Sequence, residues 1–115
     1  MIKYYYGERG VGKSAMLIEM ASKEDSPRIL QPSVHWIEDG KVWSRNGKEL
    51  PCTTFGYNDS LAPLIEGYDK VYVDEVMMLS QKQLEELQKS QVQCICFGLY
   101  SPFVKDKSYM SICLD

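Results

Sequence analysis

Gly7, Gly10, Gly12, Lys13 and Ser14 stand in the run G-E-R-G-V-G-K-S, which fits the pattern G-x-x-x-x-G-K-[ST]. In such a loop the backbone N–H groups of Gly7, Glu8, Arg9, Gly10, Val11, Gly12, Lys13 and Ser14 turn inward on phosphate oxygens, and the following helix adds its N-terminal dipole. The Lys13 ammonium would reach the β- and γ-phosphates of ATP, and the Ser14 hydroxyl would ligate Mg²⁺. The same chemistry needs an acid at the end of an apolar strand, and V-Y-V-D-E supplies Asp74 and Glu75. Asp74 would hold the Mg²⁺ shell through water. Glu75 would take a proton from an attacking hydroxyl or water. Lys13 and Glu75 are the expected catalytic pair, with ATP and Mg²⁺ as the expected cofactors.

These residues work only if a strand delivers the loop and a helix leaves it. Residues 2–6, rich in Ile and Tyr and ended by Gly7, read as that strand. Ala15, Met16, Leu17, Ile18 and Met20 then give the apolar face of a helix of about ten residues. A second strand is expected over 28–32, stopped by Pro32. Asp39-Gly40 and Asn46-Gly47 flank a short apolar run and predict a β-hairpin. A short helix is expected over 58–65, with Asn58 or Asp59 near its N-cap. A strand follows at 70–74, then a helix at 80–89 opened by a Ser80/Gln83 capping box. Further strands are expected at 92–99 and 109–114. Alternating strands and helices imply an α/β protein with a P-loop NTPase-type parallel sheet flanked by helices, and a β-hairpin insertion after strand two. Residues 1–115 read as a single nucleotide-binding domain.

Charge and composition narrow the partners. The net charge is −3 and no Lys/Arg cluster stands out, which argues against a nucleic-acid partner. No apolar run of membrane-spanning length and no signal-peptide pattern occurs, so no membrane partner is expected and a cytoplasmic protein is the simplest expectation. Cys94 and Cys96 lie two apart in a strand-like run and are expected as small buried apolar residues on one face. No C-x-x-C pair exists, so no zinc bound by cysteine is expected. His35 is the lone histidine and is given no role.

Several segments, in order along nearly the whole chain, resemble the thymidine kinases of the P-loop type. They are Y-Y-Y-G-E-R-G-V-G-K-S-A-M-L-I-E-M, L-Q-P-S-V from Leu30, S-R-N-G from Ser44, V-D-E from Val73, and C-I-C-F-G-L from Cys94 with Phe103 beyond it. The resemblance implies Asp74 as the Mg²⁺ residue, Glu75 as base for a nucleoside 5′-hydroxyl, and Phe103 near the nucleoside base. Arg45, in the Ser-Arg-x-Gly segment, is a substrate contact by the same likeness, and Arg9 and Arg45 each suit a phosphate as bidentate donors.

The chain also departs from that family. Arg9 and Val11 replace its usual Met and Ser, and His35, Trp36 and Ile37 stand where an Asp and an Arg would follow the proline. Val76, Met77 and Met78 follow the Asp-Glu pair in place of its Gln and Phe. The sequence stops at Cys113-Leu-Asp115, before the family's cysteine pairs and its lasso loop. Two functions therefore stay open. One is transfer of the ATP γ-phosphate to a deoxynucleoside. The other is a nucleotide-binding or slow ATPase module that regulates a protein partner, for which exposed aromatic residues would speak. Self-association into a homo-oligomer is open in both.

Overall fold

The computed structural model describes residues 2–8, 10–33, 40–99 and 109–114. Arg9, His35, Trp36, Ile37 and Phe103 lie outside the described residues.

Strand β1 is Ile2–Tyr6, followed by helix α1 (Lys13–Ser22) and strand β2 (Ile29–Pro32). Strands β3 (Lys41–Trp43) and β4 (Glu49–Pro51) form the expected hairpin, paired antiparallel with Val42 opposite Leu50. Its tight end is built by Ser44, whose carbonyl accepts the Gly47 N–H at 3.0 Å and whose N–H donates to the Lys48 carbonyl at 2.9 Å. Strand β5 (Thr53–Phe55), helix α2 (Ala62–Ile65), strand β6 (Lys70–Val73), helix α3 (Gln81–Lys89), strand β7 (Gln93–Gly98) and strand β8 (Tyr109–Cys113) complete the order.

Six strands form one sheet in the order β5-β2-β6-β7-β1-β8, and each of its pairings is parallel. The protein is thus α/β. Side chains alternate across the strands, as a period of two demands. Val71, Val73, Cys94 and Cys96 point to one face, where they pack with Ile65 of α2 and Leu84 and Leu87 of α3. Tyr72, Ile95 and Phe97 point to the other, against Leu17 and Ala21 of α1 and Leu50 of the hairpin. A sheet covered on both faces requires apolar residues at both parities, which is why β7 reads as continuous rather than alternating.

Two expectations are corrected. The helix expected over 58–65 begins only after its N-cap Leu61, with Pro63 inside its first turn. The Asp59 carboxylate accepts the Gly56 N–H instead, at 2.6 Å, and closes a turn ahead of the helix. Strand β5 was not expected. It is three residues long, carries two threonines, and owes its place to pairing with β2 at the sheet edge. The α3 capping box forms as expected: Ser80 Oγ accepts the Gln83 N–H at 3.1 Å and Gln83 Oε1 accepts the Ser80 N–H at 3.0 Å.

Candidate functional site

All six strands of a parallel sheet end on one edge, and the glycine loop and the acidic pair both lie there. Strand β1 runs into Gly7, whose N–H donates to the Gly98 carbonyl at 3.2 Å, so the end of β7 anchors the start of the loop. Gly98 has to be glycine, because a Cβ there would stand 2.2 Å from the hydroxyl of fully buried Tyr4. Further along, Gly10 and Gly12 have φ of 88° and 84°, a left-handed conformation that side chains disfavour. Gly12 is the N-cap of α1 and offers no side chain, so the first-turn N–H groups have no side-chain cap. The Lys13 ammonium turns back over the loop and donates to the carbonyls of Gly7 at 2.8 Å and Glu8 at 2.6 Å.

The neighbouring residue makes the decisive contact. The Ser14 hydroxyl donates to Asp74 Oδ2 at 2.8 Å. Asp74 follows β6, which is not a neighbour of β1, since β7 lies between them. The first turn of α1 therefore reaches across the end of β7 to the next strand. Asp74 is only 2 % exposed. Its Oδ2 also accepts from Gln31 Nε2 at 3.3 Å, and its Oδ1 accepts the Glu75 N–H at 2.9 Å. Burial lifts the carboxyl above its ordinary range, and the hydrogen bonds from Ser14, the Glu75 N–H and Gln31, with the Lys13 charge, pull it part of the way back.

Glu75 stands beside it in an unusual backbone state. At φ 52° it is the non-glycine residue with left-handed backbone among the described residues. It opens a single 3-10 turn, Val76–Met78, in which the Met78 N–H donates to the Glu75 carbonyl at 2.9 Å. Glu75 itself is half-buried at the sheet edge. Left-handed backbone costs an ordinary residue about 1–2 kcal/mol and is retained where surrounding structure enforces it.

Ser14 and Asp74 offer hydroxyl and carboxylate oxygens, the donors that Mg²⁺ takes. Among the described residues no three of His, Cys, Asp and Glu converge on a point. A cation held here would fill its remaining positions with phosphate oxygens and water, the usual Mg²⁺ arrangement beside a nucleotide.

A recess of about 130 Å³ opens on the same edge, lined by Pro32, Phe55, Gly56, Tyr57, Met78 and Gln83. Met78 is 53 % exposed and Tyr57 66 %, so an apolar rim faces solvent there. Arg45 lies in the hairpin turn, where its N–H donates to Glu19 Oε1 at 3.0 Å in the second half of α1. Thus Gly7, Glu8, Gly10, Val11, Gly12, Lys13, Ser14, Asp74 and Glu75 share the rim, while Arg45 is tied to the far part of α1.

Two residues at the site received no role from the sequence, Gln31 and Cys52. The signal for Gln31 was a lone amide in a strand whose four residues are all buried, since a buried amide must find polar partners. Cys52 carried no such signal. A scan of the chain against models of known protein families finds no match, and a search among curated proteins finds none either.

Proposed function

We propose that this chain is a P-loop protein of the thymidine-kinase type, which binds ATP with Mg²⁺ at the carboxyl edge of its sheet. It would pass the γ-phosphoryl group to the 5′-hydroxyl of a nucleoside or deoxynucleoside. The observation that carries this reading is the 2.8 Å bond from Ser14 to Asp74, formed across an intervening strand. A glycine turn before an ordinary helix has no need of a buried carboxylate at that point.

The residues take their parts from chemistry. Loop N–H groups and the open N-terminus of α1 hold the phosphates, and Lys13 exchanges its two loop carbonyls for phosphate oxygens. Mg²⁺, when bound, neutralises charge on the β- and γ-phosphates. Ser14 and Asp74 would hold it in place, the Ser14 hydroxyl keeping its proton and donating it in a hydrogen bond to Asp74. In the transfer, the acceptor oxygen forms a bond to the γ-phosphorus, the bond to the β–γ bridging oxygen breaks, and ADP leaves. Glu75 accepts the hydroxyl proton. The recess lined by Tyr57 and Met78, the latter three residues on from Glu75, is the space we assign to the acceptor.

The test is ADP release from Mg·ATP with and without a panel of nucleosides, run beside Lys13→Ala. One nucleoside that speeds ADP release and appears as its monophosphate supports transfer and names the acceptor. Slow release that ignores every nucleoside would replace transfer with an ATP-dependent module acting on a protein partner.

A further inference from the structure

Behind Asp74 lies a polar chain that the proposed transfer does not use directly. Gln31 is 3 % exposed near the end of β2 and donates from Nε2 to Asp74 Oδ2 at 3.3 Å. Its Oε1 accepts the thiol proton of Cys52, with sulfur and oxygen 3.2 Å apart. Cys52, 6 % exposed, sits between β4 and β5, where its N–H donates to the Gly40 carbonyl at 2.7 Å at the base of the hairpin. No buried side-chain nitrogen or oxygen among the described residues is left without a partner.

An amide has two ends, and this chain of bonds chooses between them. With its oxygen toward Cys52, Gln31 presents N–H to the carboxylate. Flipped, it would face oxygen against oxygen at Asp74 and turn the Cys52 sulfur from a donor into a weak acceptor. The buried carboxylate would lose its amide donor, and the thiol would trade a donated bond for a weaker accepted one. Carboxylate and thiol together therefore fix the amide, and the amide holds the carboxylate.

We propose that Gln31 and Cys52 are positioning residues that hold the Asp74 carboxylate in the orientation used for Mg²⁺. Neither touches the metal or the nucleotide. This places a function on the hairpin insertion, because β4 and the turn at Gly40 deliver Cys52 to Gln31. The inference rests on the Mg·ATP reading given above.

The experiment measures binding of a fluorescent ATP analogue to the full chain while Mg²⁺ is titrated, and again in EDTA. Gln31→Leu and Cys52→Ala are expected to raise the half-saturating Mg²⁺ concentration by about tenfold or more, the usual effect of losing an outer-shell partner. Their affinities in EDTA should stay near the wild type. Cys52→Ser, which keeps a donor for Oε1, should stay near the wild type in both. A merely structural role would move both affinities together, or would make Cys52→Ala and Cys52→Ser alike, and either result overturns the proposal. Should Gln31→Leu fail to fold, the two Cys52 variants carry the comparison. If the wild type binds the analogue without any Mg²⁺ dependence, the nucleotide–metal reading falls and this proposal with it. If the wild type shows that dependence and the Gln31 and Cys52 variants do not differ from it, only this proposal falls.

Discussion

Ser14 and Asp74 are sixty residues apart in sequence, follow strands β1 and β6 that are not neighbours in the sheet, and share a 2.8 Å hydrogen bond. The strand order makes this possible. With β7 placed between β1 and β6, the helix leaving β1 starts over the strand ends beside it, and the carboxylate of β6 comes within reach of its first turn.

That coupling is measurable. Ser14→Ala and Asp74→Asn should each weaken Mg²⁺-dependent ATP binding, and the double variant should lose less than the two losses combined. A coupling of about 0.5–3 kcal/mol is the range for residues in direct contact. Strictly additive losses would mean that the two side chains serve the ligand independently.

Glu75 predicts a separation of stability from activity. Its left-handed backbone, φ 52°, suits asparagine better than glutamate. Glu75→Asn should abolish phosphoryl transfer yet melt no lower than the wild type. A large fall in melting temperature would show that the glutamate is there for the fold.

Gly98 is constrained by the tyrosine that it faces. An added Cβ would meet the Tyr4 hydroxyl at 2.2 Å, and Tyr4 is fully buried and cannot swing aside. Gly98→Ala should therefore destabilise by about 1–3 kcal/mol, the usual cost of overpacking. Tyr4→Phe in the same chain removes the atom that clashes and should recover part of the loss in a denaturant titration. No recovery would place the strain elsewhere.

Much of this was legible in the sequence, for reasons that differ by element. Strand β1 and helix α1 begin and end where the apolar pattern and glycines place them, because local signals there agree with tertiary packing. Ser80 and Gln83 likewise fix the start of α3 by contacts within four residues of chain. Strand β5 was not legible. Thr53 and Thr54 carry no burial pattern, and only the neighbouring edge of β2 makes them a strand. Asp59 reads as a helix cap in the sequence, but its carboxylate closes a turn on the Gly56 N–H and the helix starts after Leu61. Gln31 and Cys52 meet only in three dimensions, twenty-one residues apart, so no spacing rule could have joined them.

The thiols predict a pH dependence. Burial pushes Cys94 up to about 11, and burial with the Asp74 charge pushes Cys52 up to about 11, from 9.0. Each folded value lies above the unfolded one, so above pH 9 the unfolded chain releases protons that the native chain keeps. The stability these thiols contribute is fully present below pH 9 and is lost as pH rises through 11. Urea unfolding across that interval should show falling stability, and Cys94→Ala should flatten the slope. At neutral pH a thiol reagent should modify exposed Cys113 quickly and buried Cys52, Cys94 and Cys96 slowly. Equal reactivity of all four would contradict the burial described here.

Calorimetric titration of the full chain with ATP in excess Mg²⁺ asks whether the loop from Gly7 to Ser14 binds nucleotide phosphates, as proposed. Saturable binding by the wild type is expected, weakened at least about tenfold in Lys13→Ala, where a charge-assisted phosphate contact is lost. Wild-type protein that releases no heat with ATP and shows no binding by a second method would overturn the proposal.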